Sequence, residues 1–203
     1  MSIDDDIVLR TRDGVSELIV NGVFAMDSAE VSSELALADA CLPAERVLVG
    51  GLGLGYTAAR LLDRGVSHVR VVELSAALVR AAREGATEQL GRLAADPRVE
   101  LVVADIAEAV TAGWDAILLD VDNGPSFLIH EENAALYAED FLRRCLDALA
   151  PGGRLLVWCE SASPDLEITL RRLGEVVPIT VPVTRQGRSF DYVIYRAQAR
   201  PAH

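Results

Sequence analysis

The sequence predicts an α/β domain with a doubly wound, mostly parallel sheet, and three observations lead there. Five short apolar runs between residues 46 and 158 are interspersed with helical patterns, the alternation that builds a parallel sheet with helices on both faces. The first of these runs leaves through a glycine-rich turn directly into a helix. The last two β-rich runs, Val176 to Val183 and Phe190 to Tyr195, are joined by a polar turn over Thr184 to Ser189 and add an antiparallel hairpin at the far side of the sheet. A chain of 203 residues suits one such unit.

Each element has a local cause. Leu18-Ile19-Val20 and Val23-Phe24-Ala25-Met26 flank Asn21-Gly22, a dipeptide that accepts the two positive φ angles of a two-residue hairpin turn. Residues 1–29 therefore form an N-terminal β-hairpin segment, and 30–203 form the main globular unit. Residues 30 to 41 read as a helix. Val47-Leu48-Val49 is a strand, followed by a helix from Tyr56 to Leu62. Val69 to Val72 is the second strand, and Ala76 to Arg83 its helix. Val99 to Val103 is the third strand, bounded by Asp96-Pro97, and Ala116 to Leu119 is the fourth. A long helix is expected over 133 to 149, stopped by Pro151-Gly152-Gly153 before the strand Arg154 to Trp158. Ser163-Pro164-Asp165 reads as a helix N-cap with proline in the first turn.

Composition excludes several kinds of chemistry. All 19 basic residues are arginine, so lysine Schiff bases, lysine general bases and the lysine-bearing phosphate loop are ruled out. The formal net charge of −12 repels phosphate backbones and argues against nucleic acid as a partner. Cys41, Cys145 and Cys159 are widely spaced, with neither a CxxC pair nor a zinc spacing, and read as buried apolar thiols. No metal site is expected. An acidic start, Asp4-Asp5-Asp6, where a signal peptide would be basic, and the lack of a membrane-length apolar run predict a cytoplasmic protein without a membrane partner.

The chemistry gathers at strand ends. Gly50-Gly51-Leu52-Gly53-Leu54-Gly55 lies between the first parallel strand and its helix, where backbone can approach a ligand and the helix N-terminus supplies free N–H groups. Gly51, Gly53 and Gly55 follow GxGxG rather than the GxGxxG of dinucleotide sites, with Tyr56 in the sixth place. A nucleoside sulfonium, which carries no phosphate, fits this turn better than a pyrophosphate. Glu73 ends the next strand, 22 residues beyond Gly51, where a carboxylate can accept from a ribose diol; this is preferred to a helix-capping role before Ser75. Asp105 and Asp120 end the third and fourth strands. Open α/β sheets bind ligands at these carboxyl ends.

These residues carry a resemblance. From about residue 16 to 160 the chain resembles the class I S-adenosylmethionine-dependent transferases, which have a Rossmann-like methyltransferase fold, and more narrowly the spermidine synthase (polyamine aminopropyltransferase) family. The matching stretches are VLVGGLGLG, VRVVELS, DPRVELVVADI, WDAILLDVDNGP and LAPGGRLLVW. The resemblance implies that Glu73 holds the ribose hydroxyls, that Asp105 binds the adenine amino group with Ile106 beside the ring, and that Asp120 orients and deprotonates an attacking amine. It implies S-adenosyl-L-methionine, or its decarboxylated form, as cofactor.

The chain also departs from the family. The aspartate of the family's GGGDGG loop, which grips the donor amine, falls on Gly53. A Tyr-His-Glu segment at the acceptor site becomes Ser32-Ser33-Glu34, and DSSDP becomes Asp120-Val121-Asp122-Asn123-Gly124-Pro125. Glu34, Asp122, Asn123 and His130 are the acceptor-site candidates. Arg185 and Arg188, in the last turn, could meet a substrate carboxylate or simply be solvated. The leading expectation is alkyl transfer, methyl in the first instance, to a small amine-bearing acceptor, catalysed by Asp120. Aminopropyl transfer to a polyamine is the second reading, and a non-catalytic nucleoside or polyamine binder the third. A homodimer is compatible with the family.

Overall fold

The computed structural model describes residues 7–121, 124, 125, 128, 131–185 and 188–200. Ten strands and seven α-helices follow one another in these segments. The chain opens with an antiparallel meander of three strands, β1 (Ile7–Arg12), β2 (Val15–Val20) and β3 (Val23–Asp27). The expected hairpin is β2–β3, turning at Asn21 (φ 51°) and Gly22 (φ 76°). The additional strand β1 joins β2 through Asp13 (φ 51°) and Gly14 (φ 80°). Both are two-residue connections with positive φ at each position, the geometry that matches strand twist.

The main sheet contains β4 (Arg46–Gly50), β5 (His68–Glu73), β6 (Val99–Val103), β7 (Trp114–Leu119), β8 (Leu149–Cys159), β9 (Gly174–Arg185) and β10 (Arg188–Ala199). Their spatial order is β6-β5-β4-β7-β8-β10-β9. The first five pair in parallel, and β10 runs antiparallel to both β8 and β9. The expected mostly parallel sheet with a C-terminal antiparallel hairpin is therefore present. Chain order reverses at β4, between its neighbours β5 and β7, which makes the carboxyl end of β4 the switch point where ligands bind in open α/β sheets.

Central strands are buried on both faces, and their alternate residues feed two cores. Val47 and Val49 face one layer, with α1 (Ser32–Ala40), α2 (Tyr56–Asp63), α3 (Ala76–Arg83) and α4 (Glu88–Ala95). Leu48 faces the other, with α5 (Ile106–Ala109), α6 (Glu139–Asp147) and α7 (Pro164–Leu173). Leu18 of the meander belongs to the first core, and Ile7, Val20, Ala25 and Met26 pack against it. The meander is thus fastened over the α1–α4 side by apolar burial, the main favourable term in such packing.

Three local readings change. Helix α4, with Thr87 capping Leu90 N–H at 3.1 Å, is an addition; Gly91 in its middle and its short length hide its apolar period. The long helix expected over 133 to 149 divides into a 3₁₀ stretch, Glu131–Tyr137, and α6. Pro151-Gly152-Gly153 lies within β8 as an irregularity, between the pairs Trp114–Leu149 and Ala116–Arg154, instead of ending a helix. At α7, Ser163 caps Leu166 N–H and Pro164 stands in the first turn, as the sequence predicts. All three cysteines are buried, and burial pushes each thiol up to about 12, so they act as apolar packing groups. No helix among the described residues is long and apolar enough to cross a membrane.

Candidate functional site

The carboxyl ends of β4, β5, β6 and β7 open into one cavity. It is lined by Gly51, Gly53, Gly55, Glu73, Asp105, Ile106, Asp120 and Glu34, so eight of the residues singled out in the sequence meet there. Asp122, Asn123 and His130 lie outside the described residues, as do the side chains of Arg185 and Arg188.

The glycine turn is clamped between its neighbouring strands. Gly51 N–H donates to Val72 O at 2.9 Å, and Asp120 N–H donates to Gly50 O at 2.9 Å. Gly51 has φ +95°, and a β-carbon there would lie 2.2 Å from the Asp120 carbonyl oxygen. Only glycine allows the end of β7 to come this close. Gly55 begins α2 in the left-handed region, with Leu93 packed against it.

The acids are held by the backbone they border. Glu73 accepts from Leu52 N–H through Oε2 (2.9 Å) and from Ser75 N–H through Oε1 (2.8 Å). It therefore ties the glycine turn to the start of α3, whose own N-cap is Ser75, and its carboxylate is oriented at the cavity wall. Asp105 caps α5 by accepting from Ala107 N–H at 2.7 Å. Ile106 is 5% exposed and packs against Gly50, giving the cavity an apolar floor.

Asp120 accepts a 2.7 Å hydrogen bond from Thr57 Oγ1–H. Burial pushes its carboxyl up to about 7, the negative charge of Glu34 adds to the rise, and the Thr57 hydroxyl opposes it. Desolvation and a like charge both disfavour the carboxylate. Glu34 sits in the first turn of α1 and accepts from the buried Ser33 hydroxyl at 2.6 Å. Asp39 fastens the other end of α1 to α2 through Arg60 (2.8 Å) and Arg64 (2.8 Å), which hold its carboxyl down at about 2. Tyr137 anchors the 3₁₀ stretch to the mouth of β7 by donating to Val121 O at 2.9 Å.

Sequence reasoning missed several lining residues. Thr57 is one, and its signal was available: it lies two residues into the helix after the glycine turn, close to the end of the adjacent strand. Trp158 packs on Tyr192 (5.0 Å, edge-on) and also lines the cavity. Ile7, Leu18, Val20, Ala25 and Met26 close the cavity from the meander; nothing in their local sequence indicates that β1–β3 cover a site more than twenty residues away. Gly53 has no β-carbon to fill the space beside the turn. That space holds Met26, whose Sδ would lie 2.8 Å from a β-carbon at Gly53.

A glycine turn at the switch point, with acids ending the neighbouring strands, is the arrangement by which open, doubly wound α/β sheets bind ligands. The chain belongs to the methyltransferase small domain family, whose model matches residues 17–181. A polyamine aminopropyltransferase of Synechococcus sp. (strain JA-2-3B'a(2-13)) is 31% identical over 127 residues, 59% of this chain and 38% of that protein. The chain therefore spans well under half the length of that relative. A spermidine synthase in complex with the transition-state analogue AdoDATO superposes with a TM-score of 0.75 at 21% identity, over 97% of this chain and 71% of the other. Human methyltransferase-like protein 13 in complex with SAH gives 0.58 at 20% identity, over 83% and 80%. The fold is thus the spermidine synthase-like form of the class I fold.

Proposed function

We propose that the cavity binds an S-adenosylmethionine-type sulfonium nucleoside and that the protein transfers an alkyl group from it, methyl in the leading reading, to a small amine. The observation that carries this is the lining: Glu34, Glu73, Asp105 and Asp120 surround the glycine turn, and the described lining includes no basic side chain. Four acidic side chains gathered around one turn create a potential that favours a positively charged guest. In this reading Glu73 accepts from ribose hydroxyls, Asp105 from the base's amino group, and Ile106 packs against the base. When bound, a sulfonium donor supplies an electrophilic carbon and a neutral thioether leaving group.

The chain's own contribution is orientation and proton handling. A carboxyl group near 7 divides between acid and base forms at neutral pH, the condition under which a general base is most effective. Asp120 would accept a proton from an ammonium acceptor and hold the amine lone pair toward the reacting carbon. Thr57 fixes the Asp120 carboxylate by its hydroxyl, leaving orientation as the main catalytic resource. Aminopropyl transfer from the decarboxylated donor to a polyamine is the second reading. It is favoured by the aminopropyltransferase relative and by the four acids of the lining.

The test is a thermal-shift titration followed by product analysis. At a ligand concentration of 100 Kd, S-adenosylmethionine or its demethylated product should stabilise the fold by about 2.7 kcal/mol, a rise in Tm of roughly 5–10 °C for a chain this size. Glu73→Ala should lose most of that shift, measured from the variant's own midpoint because Glu73 also holds Leu52 and Ser75. A full shift in the variant removes Glu73 from the site. With an amine acceptor panel, accumulation of S-adenosylhomocysteine identifies methyl transfer, and methylthioadenosine identifies aminopropyl transfer. Turnover with neither, across the panel, overturns the catalytic reading.

A further inference from the structure

Met26 is brought to the glycine turn by an irregularity in its strand. The β2–β3 register shifts between Leu18, paired with Met26, and Ile19, paired with Phe24. Ala25 is left as the extra residue. A bulge of this kind breaks strict alternation and re-aims a side chain. Phe24 stays 41% exposed, whereas Ala25 and Met26, although adjacent, both line the cavity. Met26 Sδ accepts from Leu54 N–H at 3.2 Å, and it occupies the space a β-carbon would need at Gly53. Two independent features, a bulge and a glycine with no β-carbon, let one thioether rest on the turn.

A thioether sulfur is a weak acceptor for an amide N–H, whereas a carboxylate is a strong one, and hydrogen bonds to ions are about twice as strong as neutral ones. We infer that Met26 is a specificity-determining residue for the donor's tail: its thioether holds the Leu54 N–H in the absence of ligand and is displaced by a donor whose tail carries a carboxylate. This rests on the nucleoside reading of the cavity given above. A nucleoside with no polar tail leaves the Met26–Leu54 contact in place. A tail with only N–H donors gains nothing from the Leu54 N–H. Selection by tail chemistry thus comes from a side chain of the meander, in a place where the family resemblance offers an aspartate and this chain has Gly53.

The experiment compares S-adenosylhomocysteine, which carries the amino-acid tail, with methylthioadenosine, which lacks it. The sequence has two methionines, Met1 and Met26, so methyl-labelled methionine gives two NMR signals and Met26→Leu assigns them. The Met26 methyl signal should move further with saturating S-adenosylhomocysteine than with methylthioadenosine. Equal movement, or none, overturns the proposal. By calorimetry, Met26→Ala should raise the ratio of S-adenosylhomocysteine to methylthioadenosine affinity by about 3–10-fold, since the tail no longer has to displace a partly buried thioether. Met26→Leu retains bulk and removes the acceptor; it should raise the ratio less, by about 2–3-fold, and it keeps the test informative if the alanine variant fails to fold. An unchanged or lowered ratio in the folded variants overturns the role of Met26 alone. Absence of binding by both nucleosides to the unmutated protein would instead overturn the reading of the cavity, and the Met26 proposal with it.

Discussion

Asp120→Asn is expected to lower turnover by about 10²–10⁴-fold, the usual contribution of a positioned general base, while nucleoside affinity stays nearly unchanged. The amide preserves size and an oxygen that can accept from Thr57, so the 2.7 Å contact survives and the loss isolates charge and basicity. The same substitution has an opposite effect on stability. The folded carboxyl lies at about 7, above its usual 3.8, so between about pH 4 and 7 the folded state binds more protons than the unfolded state. Stability attributable to this group is therefore present below pH 4, declines as pH rises to 7 and stays low above it. Removing the ionisable group abolishes that decline. At pH 8 the variant should melt higher than the parent, by roughly 1–2 kcal/mol or about 2–8 °C, and the two should converge near pH 4. In the parent, kcat/KM should rise through pH 7 as Asp120 ionises. Collapse of nucleoside binding in the variant would make Asp120 a nucleoside ligand and remove it from the role of base.

Gly51→Ala should be the most disruptive single substitution at the turn. Its β-carbon would lie 2.2 Å from the Asp120 carbonyl oxygen and 3.0 Å from the carbonyl carbon, at a φ of +95°. Neither obstacle is a flexible side-chain end, so relief requires the ends of β4 and β7 to separate, with the loss of the Asp120 N–H bond to Gly50. We expect a cost of about 3–5 kcal/mol, a fall in Tm near 10 °C or loss of soluble protein. Gly14→Ala is the control, because Gly14 also has positive φ (+80°) but has nothing within 4 Å of an added β-carbon. It reports conformational strain alone, about 1 kcal/mol. Equal melting of the two variants would mean that the close approach at Gly51 is not what restricts the position.

Much of the fold was legible because its signals are local. Val47-Leu48-Val49 and Ala116 to Leu119 are buried on both faces, and strands of that kind form continuous apolar runs. Ser163-Pro164 marks the start of α7 by a hydroxyl cap and a fixed φ. Asn21-Gly22 sets a hairpin by its tolerance of positive φ, and Asp13-Gly14 carries the same signal at β1–β2. Where reading failed, two local tendencies competed. Gly91 interrupts the pattern of α4, and residues 133 to 149 retain a helical apolar period although only Glu139–Asp147 form an α-helix. Pro151-Gly152-Gly153 contains stop signals that serve equally well for a strand irregularity.

The same division runs through the site. Gly51, Gly55, Glu73, Asp105 and Asp120 could be named from sequence, because in a parallel α/β sheet the residue that ends each strand must face the same edge. Once the strands were identified, covalent order alone brought these residues together. The sequence by itself thus determined the α/β architecture, the glycine turn and the acidic character of the cavity. Only the tertiary structure decided that Thr57 bonds Asp120, that Glu34 on α1 lies near enough to raise Asp120 together with burial, and that Met26 covers Gly53. Those three depend on how separate elements pack, α1 and α2 against the sheet and the meander over the turn. Packing geometry follows from the fit of whole surfaces, which no short stretch of sequence encodes.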